Sequence, residues 1–430
     1  MDIAAVKPPH RKLVSVRRIS RIKTLDSSQT HEVAMVDGWP VVVEKGQFAV
    51  FQQVLYFAID CVFPLNDKRY ESYRFSHFPV VLHGQQGWTV QTVKHEGHIS
   101  QGMVFALSDS FPEATRAREM IEKIYKPKQA KLARGGDFQI RKWSTFCESI
   151  DTYYGWVGAQ RTEISTDPPD GGVTLGRSPS FLPATKFQRV QNISQLWQTH
   201  GDTEFQIMEL LDGMPMTFYD VTYSKRLHSH LPGVILNDEA ENGVRHRPTY
   251  GVSIRDHDYE ETEASVSWKA VRAQGITDEF LDQTDRNFGI AGVLCGATIA
   301  GNPLMVNGHR YYVYAVCDDF KTWKTADDHD NEWDGLLEPL KHVPRFATRV
   351  RLSAFAKDLE ELMKKAQGAS CVSRSTRNKY PSLKRKGLVF RALDGSFSFK
   401  VIADDWLLDE TEKLRKAGKV VSRPGPNDCV

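Results

Sequence analysis

Short alternating runs of apolar and polar residues fill the first hundred positions of the chain and predict strands. Residues 31–48 contain two such runs joined by Asp37-Gly38, a dipeptide typical of a two-residue hairpin turn. Residues 49–64 predict one longer strand, and residues 87–107 predict two more strands around a glycine-containing turn. Several short strands with glycine turns are typical of a small β-barrel.

The pattern changes in the next part of the chain. Residues 112–125 place apolar side chains on one face of a predicted helix. Residues 126–185 lose this periodicity and contain a stretch rich in proline, glycine and serine, which predicts a linker. Strands then alternate irregularly with helices, so the C-terminal part predicts an α+β domain rather than a regular βαβ series.

Two amphipathic helices are predicted towards the C-terminus. In residues 353–368, Ser353 has the position of an N-terminal cap and Gly368 the position of a stop. Residues 404–418 show the same helical period and end on a glycine. We therefore expect one helix in each range.

Charge and cysteine content narrow the class of protein only slightly. The formal net charge of +2 does not by itself indicate a nucleic-acid-binding protein, but residues 6–23 and 374–391 are almost free of acidic side chains. One such run is usually a solvated surface, whereas two in one chain favour a phosphate-rich partner. The six cysteines are scattered without zinc-ligand spacing, which predicts reduced thiols in a cytoplasmic or nuclear protein. No apolar run predicts a membrane span or a signal peptide.

The stretch MELLDG, residues 208–213, has the form of a K-x-D-G motif with leucine in place of the lysine. Further stretches follow it in a fixed order: SIRD, GVLCG, YYVY, KGLVFR and SFKVI. With this ordered set, the chain resembles the ATP-dependent RNA ligases of the covalent nucleotidyltransferase superfamily, and in particular the Deinococcus-type ligases. Each motif alone is weak evidence, but their order is specific.

The resemblance implies a fold and a domain organisation. It assigns residues 1–125 to an OB-like nucleic-acid-binding β-barrel and residues 126–185 to the Pro/Gly-rich linker. Residues 186–420 would form an antiparallel-sheet nucleotidyltransferase domain, an ATP-grasp-like ligase domain, so that the whole chain is α+β. The partner implied is RNA, as nicked or single-stranded ends, and the cofactors implied are ATP and Mg²⁺.

Three positions of the family's chemistry are changed in this sequence. In the family, the motif I lysine attacks the α-phosphate of ATP, but Leu210 has no amine. The glutamate expected to hold the ribose hydroxyls is Val293, which cannot accept a hydrogen bond. The glutamate near the metal is Lys386, a reversal of sign that would repel Mg²⁺ but could pair with a phosphate.

Other positions keep the family's residue types. Gly213 is expected to supply a tight turn after Asp212. Tyr312 and Tyr314 lie on one face of a predicted strand, opposite to Tyr311, and would offer an aromatic face to adenine. The resemblance assigns catalytic contacts to Lys400 and Arg255, assigns no metal ligand, and assigns nucleotide contacts to Glu209, Asp212, Gly213, Tyr312, Tyr314, Lys386 and Lys400.

Our leading hypothesis is an RNA ligase-like protein that has lost lysyl-AMP formation and keeps RNA-end or nucleotide binding. One alternative is an active ligase that uses a surrogate nucleophile (Lys225, Lys386 or Lys400) or receives RNA ends that are already adenylylated. A second alternative is a non-catalytic RNA-binding or interaction protein whose barrel stacks bases on Trp39, Tyr56 and Trp88.

Two polar clusters carry weaker signals. The acidic segment 327–335 lacks the ligand spacing of a calcium loop and is interpreted as a solvated loop. His228, His230 and His246 have no accompanying cysteine or glutamate motif, so they are interpreted as loop histidines rather than metal ligands.

Overall fold

The structure is a computed structural model, and its described residues form two compact units. One unit comprises Met1–Glu163 with Leu407–Gly425, and the other comprises Ile164–Trp406 with Pro426–Val430. No helix in the described ranges is both long and apolar enough to cross a membrane. The described residues are 13–64, 68–73, 79–82, 85–107, 111, 157–158, 170–185, 187–232, 248–299, 301–325, 334–372 and 383–417.

The first unit consists mainly of short antiparallel strands. Its five-stranded sheet has the order β10-β4-β1-β2-β3, its four-stranded sheet has the order β11-β5-β7-β6, and β8 pairs with β9. A 3-10 helix covers Lys68–Tyr73. The strands are β1 (Val14–Thr24), β2 (His31–Val36), β3 (Trp39–Glu44), β4 (Gln53–Phe57), β5 (Cys61–Pro64), β6 (Pro79–Leu82), β7 (Gln85–Thr89), β8 (Thr92–His95), β9 (His98–Gln101), β10 (Met103–Ala106) and β11 (Val157–Gly158).

The predicted strands of this unit are confirmed in kind but are shorter than expected. The hairpin at Asp37-Gly38 is present, with Asp37 in the left-handed region at φ 54°. The single strand predicted over residues 49–64 is wrong, because it is interrupted before Cys61 where Asp60 has φ 69°. Residues 85–106 form four strands rather than two, since a second tight turn at Glu96-Gly97 separates β8 from β9.

The aromatic residues proposed to stack on RNA bases lie mainly in the core of this unit. Trp39 is 5% exposed and Tyr56 is 4% exposed, and both belong to one cluster of buried apolar residues. The Tyr56 hydroxyl donates to the Gln101 carbonyl at 2.9 Å. Trp88 is only half-buried, but it packs against a second apolar cluster. Two of these three side chains are therefore unavailable for stacking on a base.

The second unit contains two larger sheets. The seven-stranded sheet has the order β12-β17-β16-β15-β18-β19-β20, and the five-stranded sheet has the order β13-β23-β22-β14-β21. The strands are β12 (Thr174–Arg177), β13 (Gln188–Arg189), β14 (Glu204–Glu209), β15 (Met214–Asp220), β16 (Tyr250–Ile254), β17 (His257–Tyr259), β18 (Phe288–Gly296), β19 (His309–Asp318), β20 (Lys324–Thr325), β21 (Arg345–Arg351), β22 (Gly387–Ala392) and β23 (Ser398–Ile402).

Short helices cover the outer face of each sheet in this unit. One core cluster packs β15, β16, β18 and β19 against the helix Val266–Ala273, and another packs β14, β22 and β23 against the helix Leu359–Ala366. The helices are Leu196–His200, Lys225–His228, Val266–Ala273, Asp278–Leu281, Asp334–Leu337, Leu352–Phe355 and Leu359–Ala366, and a 3-10 helix covers Val190–Asn192. The longer helix Asp404–Ala417 begins in this unit, and its residues from Leu407 onward belong to the first unit.

The C-terminal part of the predicted linker is not a spacer. Residues 174–177 form β12, which pairs with β17 at the edge of the seven-stranded sheet. Asp170 is completely buried and its carboxylate accepts hydrogen bonds from the Ser265 hydroxyl at 2.5 Å and the Ser267 amide at 2.6 Å. These bonds cap the helix Val266–Ala273, so the segment from residue 170 is built into the second unit.

The helix predictions are corrected in one place and confirmed in another. Residues 353–368 form two helices, because Asp358 caps a new start by accepting from the Glu361 amide at 2.9 Å. The Glu361 carboxylate accepts from the amide of Lys357, the residue before the cap, so side chains satisfy two backbone donors at the start of this helix. Ser353 therefore lies within the first helix. The C-terminal helix is confirmed as Asp404–Ala417, whereas the predicted helix 112–125 lies outside the described residues.

We expect Asp170→Ala to lower the free energy of unfolding by about 2 kcal/mol, because it leaves buried donors without their acceptor. Urea denaturation measures this change. The exposed Asp282, at the end of the helix Asp278–Leu281, is the control, and Asp282→Ala should stay within about 0.5 kcal/mol of the wild type. Equal stability of both variants would mean that residue 170 is part of a linker after all.

Candidate functional site

The MELLDG segment connects the two sheets of the second unit. β14 ends at Glu209 in the five-stranded sheet, and β15 begins at Met214 in the seven-stranded sheet. Leu210 lies in the connection, is 1% exposed, and donates its amide to the Gly387 carbonyl at 2.9 Å. The backbone of the motif I position is thus fixed against the start of β22, where residue 386 lies.

Gly213 is required for a reason that differs from the predicted one. Its φ angle is not in the left-handed region, so the turn does not itself demand glycine. A Cβ at this position would instead lie 2.6 Å from the Val293 side chain and from the Leu294 carbonyl oxygen. The glycine therefore permits close packing of the turn on β18, with Val293 forming part of the contact.

Lys386 pairs with Asp212 at the centre of this region. The Lys386 ammonium lies 2.7 Å from the Asp212 carboxylate, and the two side chains are only 3% and 14% exposed. The same ammonium lies 4.9 Å from the centre of the Trp406 ring. The lysine predicted to repel a metal or contact a phosphate thus contacts a carboxylate and an aromatic face of its own chain.

Glu209 is buried directly before the turn. Its carboxylate accepts from the Cys371 amide at 2.8 Å, and its own amide donates to the Pro344 carbonyl. Burial raises the pKa of Glu209, and hydrogen bonds from Ser370 and Cys371 partly oppose that rise. These contacts position the carboxylate against the protein rather than towards solvent.

The tyrosines of β19 divide between two faces as the alternation predicted. Tyr311 packs in the outer core with the helix Val266–Ala273, while Tyr312 and Tyr314 are on the other face. The Arg391 guanidinium lies 5.5 Å from the centre of the Tyr314 ring, so this face is turned towards the five-stranded sheet. Val293 is the direct strand partner of Tyr312. Both tyrosines are 3% exposed, which leaves little of either ring open to an adenine base.

The facing side of the five-stranded sheet carries buried cations. Lys400 is fully buried on β23, and its register partners are Val389 on β22 and Arg189 on β13. Arg391, two residues beyond Val389 on β22, donates to the Trp323 carbonyl at 3.1 Å. Burial lowers the pKa of Arg391. Sequence reasoning found Lys400 but missed Arg189 and Arg391, although Arg391 ends the quoted KGLVFR motif.

Arg255 lies at one end of the seven-stranded sheet. It occupies the turn between β16 and β17 with φ 56°, and its side chain is exposed. Its amide approaches the Pro215 carbonyl at 3.4 Å, which places it beside the start of β15 and close in sequence to the Asp212 turn. Of the predicted site residues, Arg255 is the exposed cation at this end of the sheet.

The second basic segment is not a solvated surface where it is described. Arg385 is 8% exposed, donates to the Ala366 carbonyl at 2.8 Å, and lies 4.4 Å from the centre of the Phe346 ring. Arg385, Lys386 and Arg391 therefore all contact other parts of the second unit. Residues 373–382 lie outside the described residues, as do His246 and residues 326–333 of the acidic segment.

The two described loop histidines have ordinary loop contacts. His228 bonds to the Val221 carbonyl at 2.9 Å through Nε2, and His230 lies 3.4 Å from the Ser180 hydroxyl. The described cysteines are free thiols, as predicted, and Cys61, Cys295 and Cys317 are buried in strands.

Comparison with known proteins identifies the fold. A family model described as an OB-fold domain matches residues 13–107. A structure of a Naegleria gruberi RNA ligase variant with ATP and Mn is 25% identical, with a TM-score of 0.68, over 93% of this chain and 99% of that chain. The same ligase with PPi is 25% identical, with a TM-score of 0.66, over 94% and 99%. A search of curated proteins found no match.

The chain therefore has the fold of an ATP-dependent RNA ligase along nearly its whole length, and the resemblance seen in its sequence is confirmed. Its architecture is an OB-fold domain followed by a sheet-rich α+β domain with the RNA ligase arrangement.

The residues present do not fit ATP with a divalent metal. Carboxylate oxygens are the ligands that Mg²⁺ and Mn²⁺ prefer, but Asp212 is neutralised by Lys386. Glu209 accepts from Cys371 through one oxygen, and its other oxygen, buried without a hydrogen-bond partner among the described residues, offers one ligand atom at most. A cavity of about 220 Å³ lies beside Arg391, with Thr185, Phe187 and Trp323 among its lining residues. Small-molecule sites usually enclose about 300 Å³ or more, so this cavity is small for a complete nucleotide. It lies at the end of β22 opposite to Leu210 and Lys386, so its volume describes that end and not the MELLDG junction.

We expect Lys386→Met to lower the free energy of unfolding by about 3 kcal/mol, because it leaves the Asp212 carboxylate buried without its cation. Adding Asp212→Asn should recover part of this loss in a double-mutant cycle followed by urea denaturation. Lys321 is the matched control, since its 3.6 Å pair with Asp319 is exposed, and Lys321→Met should change stability by less than about 1 kcal/mol. Equal losses for Lys386→Met and Lys321→Met would contradict a buried pair.

Proposed function

We propose that this protein binds RNA ends through an RNA ligase fold and does not transfer AMP to a lysine of its own. The main support for this proposal is the buried Lys386–Asp212 pair. It occupies the junction where the motif order places both the nucleophile and the metal carboxylate, and it leaves Asp212 neutralised. Leu210 and Val293 are buried nearby and offer neither an amine nor an acceptor.

The three changed positions, residues 210, 293 and 386, would act at separate steps of the ligase reaction. An amine nucleophile is needed for attack, an acceptor orients the ribose, and carboxylates hold a metal that stabilises the phosphates. A neighbour can replace one missing group, but three changes at separate positions do not have one common substitute. This is why loss of the self-adenylylation step is favoured over its relocation.

Retained phosphate recognition is supported by the cations that remain. Arg189, Lys400 and Arg391 are buried on one face of the five-stranded sheet, opposite the two tyrosines. Buried cations carry a large desolvation penalty, which a phosphate group can offset. The small cavity beside Arg391 suits a terminal phosphate better than a whole nucleotide. Exposed Arg255, at the other end of the seven-stranded sheet, offers a separate contact for the RNA backbone.

For an active ligase with a surrogate lysine, Lys386 is the best candidate nucleophile among Lys225, Lys386 and Lys400. Lys225 belongs to the short exposed helix Lys225–His228, and Lys400 extends from the middle of β23. Lys386 alone of the three contacts the motif I aspartate. An ammonium held by a carboxylate is protonated, however, and a protonated amine has no lone pair for attack.

Several further expectations are part of this proposal. The assignment of residues 1–125 to an RNA-binding module, 126–185 to a linker and 186–420 to a ligase-like domain is kept only in part, because the segment from residue 170 belongs to the second unit and Leu407–Gly425 belongs to the first. The cytoplasmic or nuclear location also remains a prediction. Sealing of RNA ends that are already adenylylated would bypass the lysine, but it would still lack the motif IV carboxylate.

We expect the wild-type protein to show no AMP adduct by intact-protein mass spectrometry after incubation with ATP and Mg²⁺ or Mn²⁺. Leu210→Lys alone should also stay unmodified, because Lys386 still neutralises Asp212 and Val293 still replaces the ribose acceptor. The triple variant Leu210→Lys, Val293→Glu and Lys386→Glu restores all three groups and should gain one AMP.

The mass measurements distinguish a protein that cannot adenylylate itself from an active ligase with a surrogate lysine. An adduct on the wild type would refute the proposal, and peptide mapping would show whether Lys386 is the nucleophile. An adduct on Leu210→Lys alone would show that the Lys386–Asp212 pair does not block the site. Thermal unfolding of each variant is the control for correct folding, since a misfolded triple variant would give a false negative.

We expect Arg255→Ala to weaken binding of a 5′-phosphorylated single-stranded RNA about ten-fold at low salt, with a smaller salt dependence than the wild type. Lys364→Ala is the control, because Lys364 is an exposed cation of the helix Leu359–Ala366 on the outer face of the five-stranded sheet, away from the space between the two sheets. Fluorescence anisotropy at several salt concentrations measures both. Equal losses for the two variants would indicate diffuse charge attraction rather than a site at the Arg255 end.

A further inference from the structure

Two histidines and a glutamate meet in the first unit, within residues that the ligase comparison leaves without a role. His31 begins β2, His95 ends β8, and Glu96 is the first residue of the tight turn that follows. The β8–β9 hairpin lies against the five-stranded sheet, where the Val42 amide donates to the Ser100 hydroxyl at 3.1 Å. This packing brings residues far apart in the sequence to one place.

The donor atoms of these side chains converge. One ligand atom from each of His31, His95 and Glu96 lies within 4.8 Å of the other two. The His31 Nδ1 atom is 3.5 Å from the Glu96 carboxylate, and the two imidazole rings meet edge to face with their centres 4.4 Å apart. Ligand atoms around a single zinc ion lie about 3.3 Å apart, so small side-chain rotations would bring the three atoms to bonding distance.

The state of His95 is the independent observation that points to a ligand. Its Nε2 atom is buried and has no hydrogen-bond partner among the described residues. A buried polar atom without a partner is rare and destabilising, so it requires an explanation such as an ion. The neighbouring His98 lacks this feature, because its Nε2 atom lies 3.0 Å from the Ser27 hydroxyl.

We propose that His31, His95 and Glu96 bind one divalent transition-metal ion of the zinc type. Two imidazoles and one carboxylate are the ligand types of zinc sites in which a fourth position stays open to water or a ligand. Imidazole nitrogens favour Zn²⁺, Co²⁺ or Ni²⁺ over Mg²⁺, which prefers oxygen ligands. The site belongs to the first unit, whereas Lys386 belongs to the second, and the metal proposal does not depend on the proposed RNA function.

An ordinary histidine–glutamate ion pair is the competing explanation, and it accounts for only part of the geometry. It would satisfy His31, which also has the Thr30 hydroxyl 2.9 Å from its Nδ1 atom. It leaves the buried Nε2 atom of His95 unexplained. A metal uses that lone pair and also attaches the β8–β9 hairpin to β2, so binding should raise the thermal stability of the protein.

The test is titration of the full chain, freed of metal and kept reduced, with Zn²⁺ by calorimetry and with Co²⁺ by visible absorption. We expect one ion per chain, a rise in melting temperature, and a Co²⁺ spectrum without the strong thiolate bands that cysteine ligands produce. His95→Gln and Glu96→Gln should each weaken binding at least ten-fold. His98→Gln, in the same hairpin, should leave it unchanged.

Three results would overturn the proposal. They are no saturable binding of either metal by the folded wild type, binding that His95→Gln does not weaken, and thiolate bands that assign the ion to cysteines. Circular dichroism establishes that each variant is folded, and Glu96→Gln provides a second test should His95→Gln fail to fold.

Discussion

Lys386 and Asp212 neutralise each other at the junction of the two sheets of the second unit, where both charges have little access to water. Removing either charge would leave the other buried, so the pair ties the MELLDG turn to the start of β22. The Leu210–Gly387 hydrogen bond and the close approach of Gly213 to Val293 position the same turn. These contacts stabilise the junction at the positions where the RNA ligase motifs place the nucleophile and the metal carboxylate.

The space between the two sheets contains buried charged and hydroxyl-bearing side chains, which a core that only stabilises the fold does not require. Arg189, Lys400 and Arg391 lie buried on one side, and Tyr312 and Tyr314 lie on the other. Apolar residues of similar size would pack at lower electrostatic cost, and this difference is the basis for the phosphate contact proposed above. Asp212 is paired with Lys386, and one oxygen of Glu209 accepts from Cys371, so little carboxylate charge remains for a metal at this junction.

The sequence predicted the fold class and the order of the motif strands because alternation and turn residues are local signals. It located the Asp37-Gly38 hairpin and the opposite faces of Tyr311 and Tyr312. It did not predict the break at Asp60, the helix cap at Asp358 or the role of Asp170, since each depends on contacts that periodicity does not encode. The Lys386–Asp212 pair and the His31–His95–Glu96 cluster were missed for the same reason, because tertiary packing joins distant segments.

The decisive measurement is transfer of radiolabel from the α-phosphate of ATP to the wild-type protein, on a preparation that is shown to bind 5′-phosphorylated RNA. We expect RNA binding with no covalent label on the protein, in Mg²⁺ and in Mn²⁺. A labelled protein whose label is lost on Lys386→Met, with folding intact, would contradict it and would identify Lys386 as a relocated nucleophile.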